Sequence, residues 1–76
     1  MPRFFFDRHN GSDVVSDLDG QILSGTQNAK SVAADSVVDL TREAVLNEYG
    51  QSLAVVVRDE GGDEIAKVRV LIEWWH

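Results

Sequence analysis

The chain contains no cysteine, no long apolar run and only seven basic residues against thirteen carboxylates. Without thiols there is no disulfide framework and no thiolate-bound zinc or iron–sulfur centre. No stretch approaches the roughly 20 apolar residues that a membrane-spanning helix needs. The opening aromatics meet Asp7 after Phe6, far short of the apolar region of a signal peptide. These features predict a cytoplasmic protein with no membrane partner. The net charge of −6 sets duplex nucleic acid and anionic membranes against net repulsion, unless the few cations gather on one face.

At 76 residues there is room for one core and one domain, residues 1–76. A chain this short buries roughly 60–65% of the surface that it exposes when unfolded, so its stability is marginal unless something else adds burial. With disulfides excluded, oligomerisation is the remaining route.

Residues 3–9 carry a β-favouring aromatic run, and His9-Asn10-Gly11-Ser12 supplies an Asn-Gly turn before Asp13-Val14-Val15-Ser16. A second turn, Asp17-Leu18-Asp19-Gly20, precedes Gln21-Ile22-Leu23, which extends or resumes the second strand. Ser24-Gly25-Thr26-Gln27 has the form of a capping box, predicting a helix from there to about residue 48, closed by Tyr49-Gly50. On that helix Ala29, Val32, Ala33, Val37, Leu40 and Ala44 form one stripe, the pattern of a core-facing surface. Residues 53–58 and 66–75 are Val-rich and bracket Asp59-Glu60-Gly61-Gly62-Asp63-Glu64, which reads as a second hairpin. The predicted class is α+β. The predicted arrangement is a two-layer ββαββ fold, a four-stranded, mainly antiparallel sheet with one helix packed on one face.

The residues Pro2-Arg3-Phe4-Phe5-Phe6-Asp7, His9-Asn10-Gly11, Asp17-x-x-Gly20, the Ala-rich helix and Val-x-Val-x-Asp59-Glu60-x-Gly62 are similar to a family of short alphaproteobacterial, rhizobial-type proteins. That family opens Pro-Arg-Tyr/Phe-Phe-Phe-Asp and is a domain of unknown function. The resemblance implies the same architecture and a bacterial cytoplasmic setting, and it brings no active site. The chain departs from the family where an acidic residue usually precedes the helix, since Ser24 and Gly25 stand there, and in its Trp74-Trp75-His76 ending.

Several motifs invite a chemical reading and have a plainer one. Asp17-Leu18-Asp19-Gly20 resembles the middle of a calcium loop. The flanking ligand positions would fall on Val15 and Thr26, however, so an Asp-capped turn is expected instead. His9 could pair with Asp7 or Asp13 as an acid–base couple, but no nucleophile accompanies it. Gly61-Gly62 lies between strands and among acids, a setting that repels phosphate. Phe4, Phe5, Phe6, Trp74 and Trp75 beside Arg3, Arg58, Lys67 and Arg69 would make a platform for single-stranded nucleic acid, which the net charge disfavours. The expectation is a non-enzymatic protein with no catalytic, cofactor or metal site.

Surplus apolar surface is the more telling feature. The sheet's far side would expose Phe5, Val56, Leu71 and Trp75. A second helix line runs through Ala34, Val38, Thr41, Val45 and Tyr49. Large contiguous apolar patches mark contact sites. The predicted function is therefore a small interaction module that self-associates, most simply as a homodimer, through Phe5, Val56, Leu71 and Trp75 or through Val38 and Val45. The alternative is an antitoxin-like regulatory partner that covers a basic or nucleic-acid-associated protein.

Overall fold

Alternating Val and aromatic side chains set the strands, and a run without internal Gly or Pro sets the helix. The structure, a computed structural model, describes residues 1–46 and 51–75. Its elements run β1 (Arg3–Asn10), β2 (Asp13–Val15), β3 (Gln21–Ile22), α1 (Thr26–Leu46), β4 (Ser52–Arg58) and β5 (Glu64–Leu71). The class is α+β, one helix with an antiparallel sheet.

The sheet order is β2-β1-β4-β5, with β3 pairing the other end of β1. The expected ββαββ order is thus corrected to three strands before the helix. β2 and β3 lie along the same edge of β1, at Arg8↔Val15 and at Phe4↔Gln21. Residues 16–20 leave the ladder between them, because the Asp17 carboxylate takes the Phe6 N–H that a continuous strand would have taken, at 3.1 Å.

The first hairpin turns one residue later than the Asn-Gly signal suggests. Asn10 pairs with Asp13, and Gly11 holds the first loop position at φ 62°. Gly11 N–H also donates to Ser52 O at 3.0 Å, tying this turn to the start of β4. In the second hairpin, Asp59 Oδ1 accepts from Gly61 and Asp63 N–H at 3.0 Å each. A register shift at Val57/Arg58 bends the strands toward that turn.

The helix also starts later than the capping box suggests. Ala29 N–H donates to Gly25 O at 3.1 Å, so Gly25 occupies the cap position. Ser24 Oγ instead accepts from Asn28 Nδ2. The expected closure at Tyr49-Gly50 lies outside the described residues.

Ala29, Ala33, Val37 and Ala44 of α1 meet Phe4 and Phe6 of β1 and Leu53, Val55 and Val57 of β4 in one core. Val32 and Leu40, the remaining members of the expected stripe, pack at its margin. The small helix side chains let α1 lie close over β4 and β5, where its contacts concentrate. β4 is buried through Leu53, Ala54, Val55, Val56 and Val57, as befits a strand with neighbours on both edges.

β5 ends at Leu71, short of the predicted Trp75. Its partner β4 begins at Ser52, and beyond that one more bond, Ile72 N–H to Gln51 O at 2.9 Å, closes the ladder.

Candidate functional site

Asp7, Asp17 and Arg58, far apart in sequence, converge at one corner of the sheet. Phe5 stands opposite Arg58, and Asp7 opposite Val56, on the side of the β1–β4 pair away from the core. Arg58 lies over the Phe5 ring, 5.2 Å from its centroid. From there Arg58 Nε donates to Asp7 Oδ2 at 2.6 Å, and Nη2 donates to Asp7 Oδ1 at 3.1 Å and to Asp17 O at 3.3 Å. Asp17 N–H completes the ring by donating to Asp7 Oδ1 at 2.9 Å. Asp17 Oδ1 in turn accepts from Asp19 and Gly20 N–H at 3.1 and 3.0 Å, which is the Asp-capped turn expected there.

Gly20 is required by two constraints at once. Its φ is +71°, and a Cβ there would sit 2.8 Å from Phe4 O. Arg3 closes the corner, its Nη1 donating to Asp19 O at 2.8 Å and its N–H to Glu60 Oε1 at 3.1 Å.

Five of the residues that carried the family resemblance, Arg3, Asp7, Asp17, Gly20 and Glu60, therefore meet in one hydrogen-bonded cluster. The chain belongs to the family described as a domain of unknown function, DUF6894. The match covers residues 3–71, so Trp74 and Trp75 lie beyond it. No curated protein and no solved structure matches the chain.

The electrostatics of the DUF6894 corner follow from its bonds. The Arg58 guanidinium is the largest influence on Asp7 and lowers its pKa; partial burial opposes this, and the Asp17 N–H adds to the lowering. For Asp17 burial is the largest influence and pushes the pKa up, but the N–H groups of Gly20, Phe6 and Asp19 together outweigh it. The Arg58 pKa is raised in return by Asp7. All four oxygens of the two carboxylates accept hydrogen bonds, so the corner holds two charges in place with no oxygen left unpartnered. Such an arrangement fixes geometry. Asp7, the carboxylate drawn against His9 from sequence, is engaged by Arg58 and Asp17 instead.

The interface residues expected from sequence separate into different environments. Val56 is only 4% exposed, which corrects its assignment to an open surface: β4 is central, and Asp7 and Lys67 flank Val56 on either side. Phe5 is half-buried beneath Arg58. Leu71 ends β5 at 66% exposure, and Trp75, past the strand, is 86% exposed. Val38 and Val45 are exposed on the helix. Of the four cations expected on one face, Arg3 and Arg58 are tied into the corner, and Lys67 and Arg69 stand exposed on β5.

Two concavities border the helix. One, of about 530 Å³, lies between α1 and the 16–20 segment and is rimmed by Arg8, Asp17, Leu18, Asp19, Asp39 and Glu43. Leu18 of the Asp17–Gly20 turn, 87% exposed, and Val15 give this cleft apolar side chains that turn propensity alone does not signal. The other, of about 260 Å³, lies where the helix meets β5, between Lys30, Ala33, Ala34, Ala66, Lys67 and Val68. Among the described residues no helix is long and apolar enough to cross a membrane.

Proposed function

We propose that the protein is a small, non-enzymatic interaction module of the alphaproteobacterial cytoplasm that self-associates as a homodimer. In this reading the fold is a two-layer unit whose helix covers one face of the β2-β1-β4-β5 sheet. The inward alternation of Leu53, Val55 and Val57 supports that layering. The absence of cysteine fits a reducing compartment.

One observation carries the reading. Leu71, Trp74 and Trp75 are 66%, 45% and 86% exposed and cluster at the end of one strand of a 76-residue chain. Concentrated apolar surface of this kind marks a contact site, and a core this small gains stability when it is covered. The sheet face around Val56 contributes less, since the Asp7–Arg58 pair already seals it.

Sedimentation velocity over a dilution series tests the reading. A dimer is expected at high micromolar concentration, with Leu71→Asp dissociating it and Val38→Asp leaving it intact. A wild-type monomer at that concentration ends the proposal.

A second reading, an antitoxin-like or regulatory partner of a basic protein, draws on the cleft rimmed by Asp17, Asp19, Asp39 and Glu43. Co-purification of a basic protein that is lost on Asp39→Lys would favour it, and retention of that protein by the variant would count against it.

A further inference from the structure

The two sheet edges differ in what they offer a partner. On one side β2 has three residues and β3 two, with the Asp17 carboxylate standing between them, an edge blunted by its own side chain. On the other, β5 runs over eight residues and among the described residues pairs only with β4.

The direction of its backbone groups follows from the register. Ile72 N–H donates to Gln51 O, so Ile72 and, by two-residue alternation, Val70 and Val68 turn their polar groups toward β4. Lys67, Arg69, Leu71 and Glu73 turn theirs outward. The same alternation places the side chains of Val68, Val70 and Ile72 against the core and leaves those of Lys67, Arg69, Leu71 and Glu73 exposed.

Resting on the self-association reading, we infer that β5 pairs antiparallel with β5 of a second copy, with the two-fold axis at Leu71. The exposed residues then match in sequence. Leu71 faces the partner's Leu71, Arg69 the partner's Glu73, and Lys67 the face of the partner's Trp75. On the core side Val70 meets the partner's Ile72, and Val68 the partner's Trp74. Pairing extends the ladder past Leu71 through residues 72–75.

Charge disfavours two of the neighbouring registers. An axis at Arg69 sets two guanidiniums opposite each other, and an axis at Val68 sets Lys67 against Arg69. Like charges directly opposed across strands are destabilising. An axis at Val70 pairs Lys67 with Glu73 but leaves Arg69 against an apolar Leu71.

The concavity beside β5 is the second, independent observation. Val68, opposite the partner's Trp74 in this register, lines the groove of about 260 Å³ together with Ala33, Ala34 and Ala66. The alanines leave room for an aromatic ring between helix and strand, and Lys30 at the rim suits the indole face. Trp74 of one copy thereby fills a gap that the other copy cannot fill for itself.

The native chain has no cysteine, so one introduced thiol per chain reports the register directly. Under mild copper–phenanthroline oxidation, Leu71→Cys should cross-link into a disulfide dimer, because opposed residues bring their Cα atoms to about 5.5 Å. Val70→Cys, offset by two residues from its own copy, should not. Arg69→Glu and Glu73→Arg should each weaken the dimer by about tenfold, and the double variant should restore it. A wild-type dimer whose Val70→Cys variant cross-links while Leu71→Cys does not would overturn the register and leave self-association standing. A dimer that neither thiol cross-links would overturn pairing through β5. A wild-type monomer would remove both the inference and the reading beneath it.

Discussion

Arg58 and Asp7, fifty-one positions apart, form an ion pair at 2.6 Å with side chains 29% and 11% exposed. The pair joins the two central strands on the side away from the core residues Phe6, Val55 and Val57. Through Asp17 it also holds the segment between β2 and β3 against β1. The corner is thus the far side's counterpart of the hydrophobic core.

Replacing Asp7 with Asn removes the charge that Arg58 and the Asp17 N–H both address. Losing hydrogen bonds to a nearly buried charged group costs about 2 kcal/mol. Asp7→Asn is expected to lower stability by that amount in urea unfolding. Amide exchange should quicken first at Phe6 and Asp17, whose N–H groups depend on the corner.

The same carboxylates give acid sensitivity with a definite sign. Asp7 and Asp17 both have folded-state pKa values below their ordinary ones. Their contribution is therefore complete above the unfolded carboxylate pKa of about 3.9, and it is lost as pH falls from there through the lowered folded-state values. Thermal unfolding between pH 6 and pH 2 should show Tm of the wild type falling below about pH 4. The gap between wild type and Asp7→Asn should narrow over the same span, and a gap independent of pH would contradict the assignment.

Much of this architecture was legible in the chain, because period-two alternation at residues 53–58 and 67–71 and the Ala29–Ala33–Val37–Ala44 spacing are local patterns. The Asp17 turn was legible for the same reason, since its side chain caps its own backbone. What escaped depends on distant partners. Val56 alternates like an outward residue, yet it is buried because Asp7 arrives from β1 and Lys67 from β5. Trp74 and Trp75 continue the alternation of β5, yet the strand stops at Leu71 because β4 has run out beside it. The separation of β2 from β3 arises from a side chain standing in for a strand, which strand propensity cannot express. Residues 7, 17 and 58 carried no shared local signal at all.

Gly20 makes a sharper test of the corner than either charged residue. A side chain there must adopt φ +71° and meet Phe4 O at 2.8 Å, with Arg3 Cγ and Phe5 Cδ1 each at 3.0 Å. Backbone strain of this kind costs about 1–3 kcal/mol, and the clash adds to it. Gly61, in the second hairpin, has a negative or extended φ and only Asp59 Oδ1 at 3.4 Å from a built Cβ. Gly20→Ala should lower Tm by several degrees and loosen Arg3 from Asp19, whereas Gly61→Ala should leave Tm within about a degree or two of wild type.

One substitution made at two positions separates the core from the contact surface. Val55 is 0% exposed on the central strand, and Val38 is 55% exposed on the helix. Truncating Val55 to Ala removes buried methyl groups and leaves a void between α1 and the sheet, at a cost of about 2 kcal/mol. Truncating Val38 to Ala removes groups already in water and replaces a β-branched residue with the strongest helix former, so it should be neutral or stabilising by about 0.5 kcal/mol. If dimerisation runs through β5, Val38→Ala should also leave the association constant unchanged. Equal losses of stability at the two positions in denaturant titrations would mean that the helix's outer face is covered in solution, and the contact surface would have to move from the strand edge to the helix.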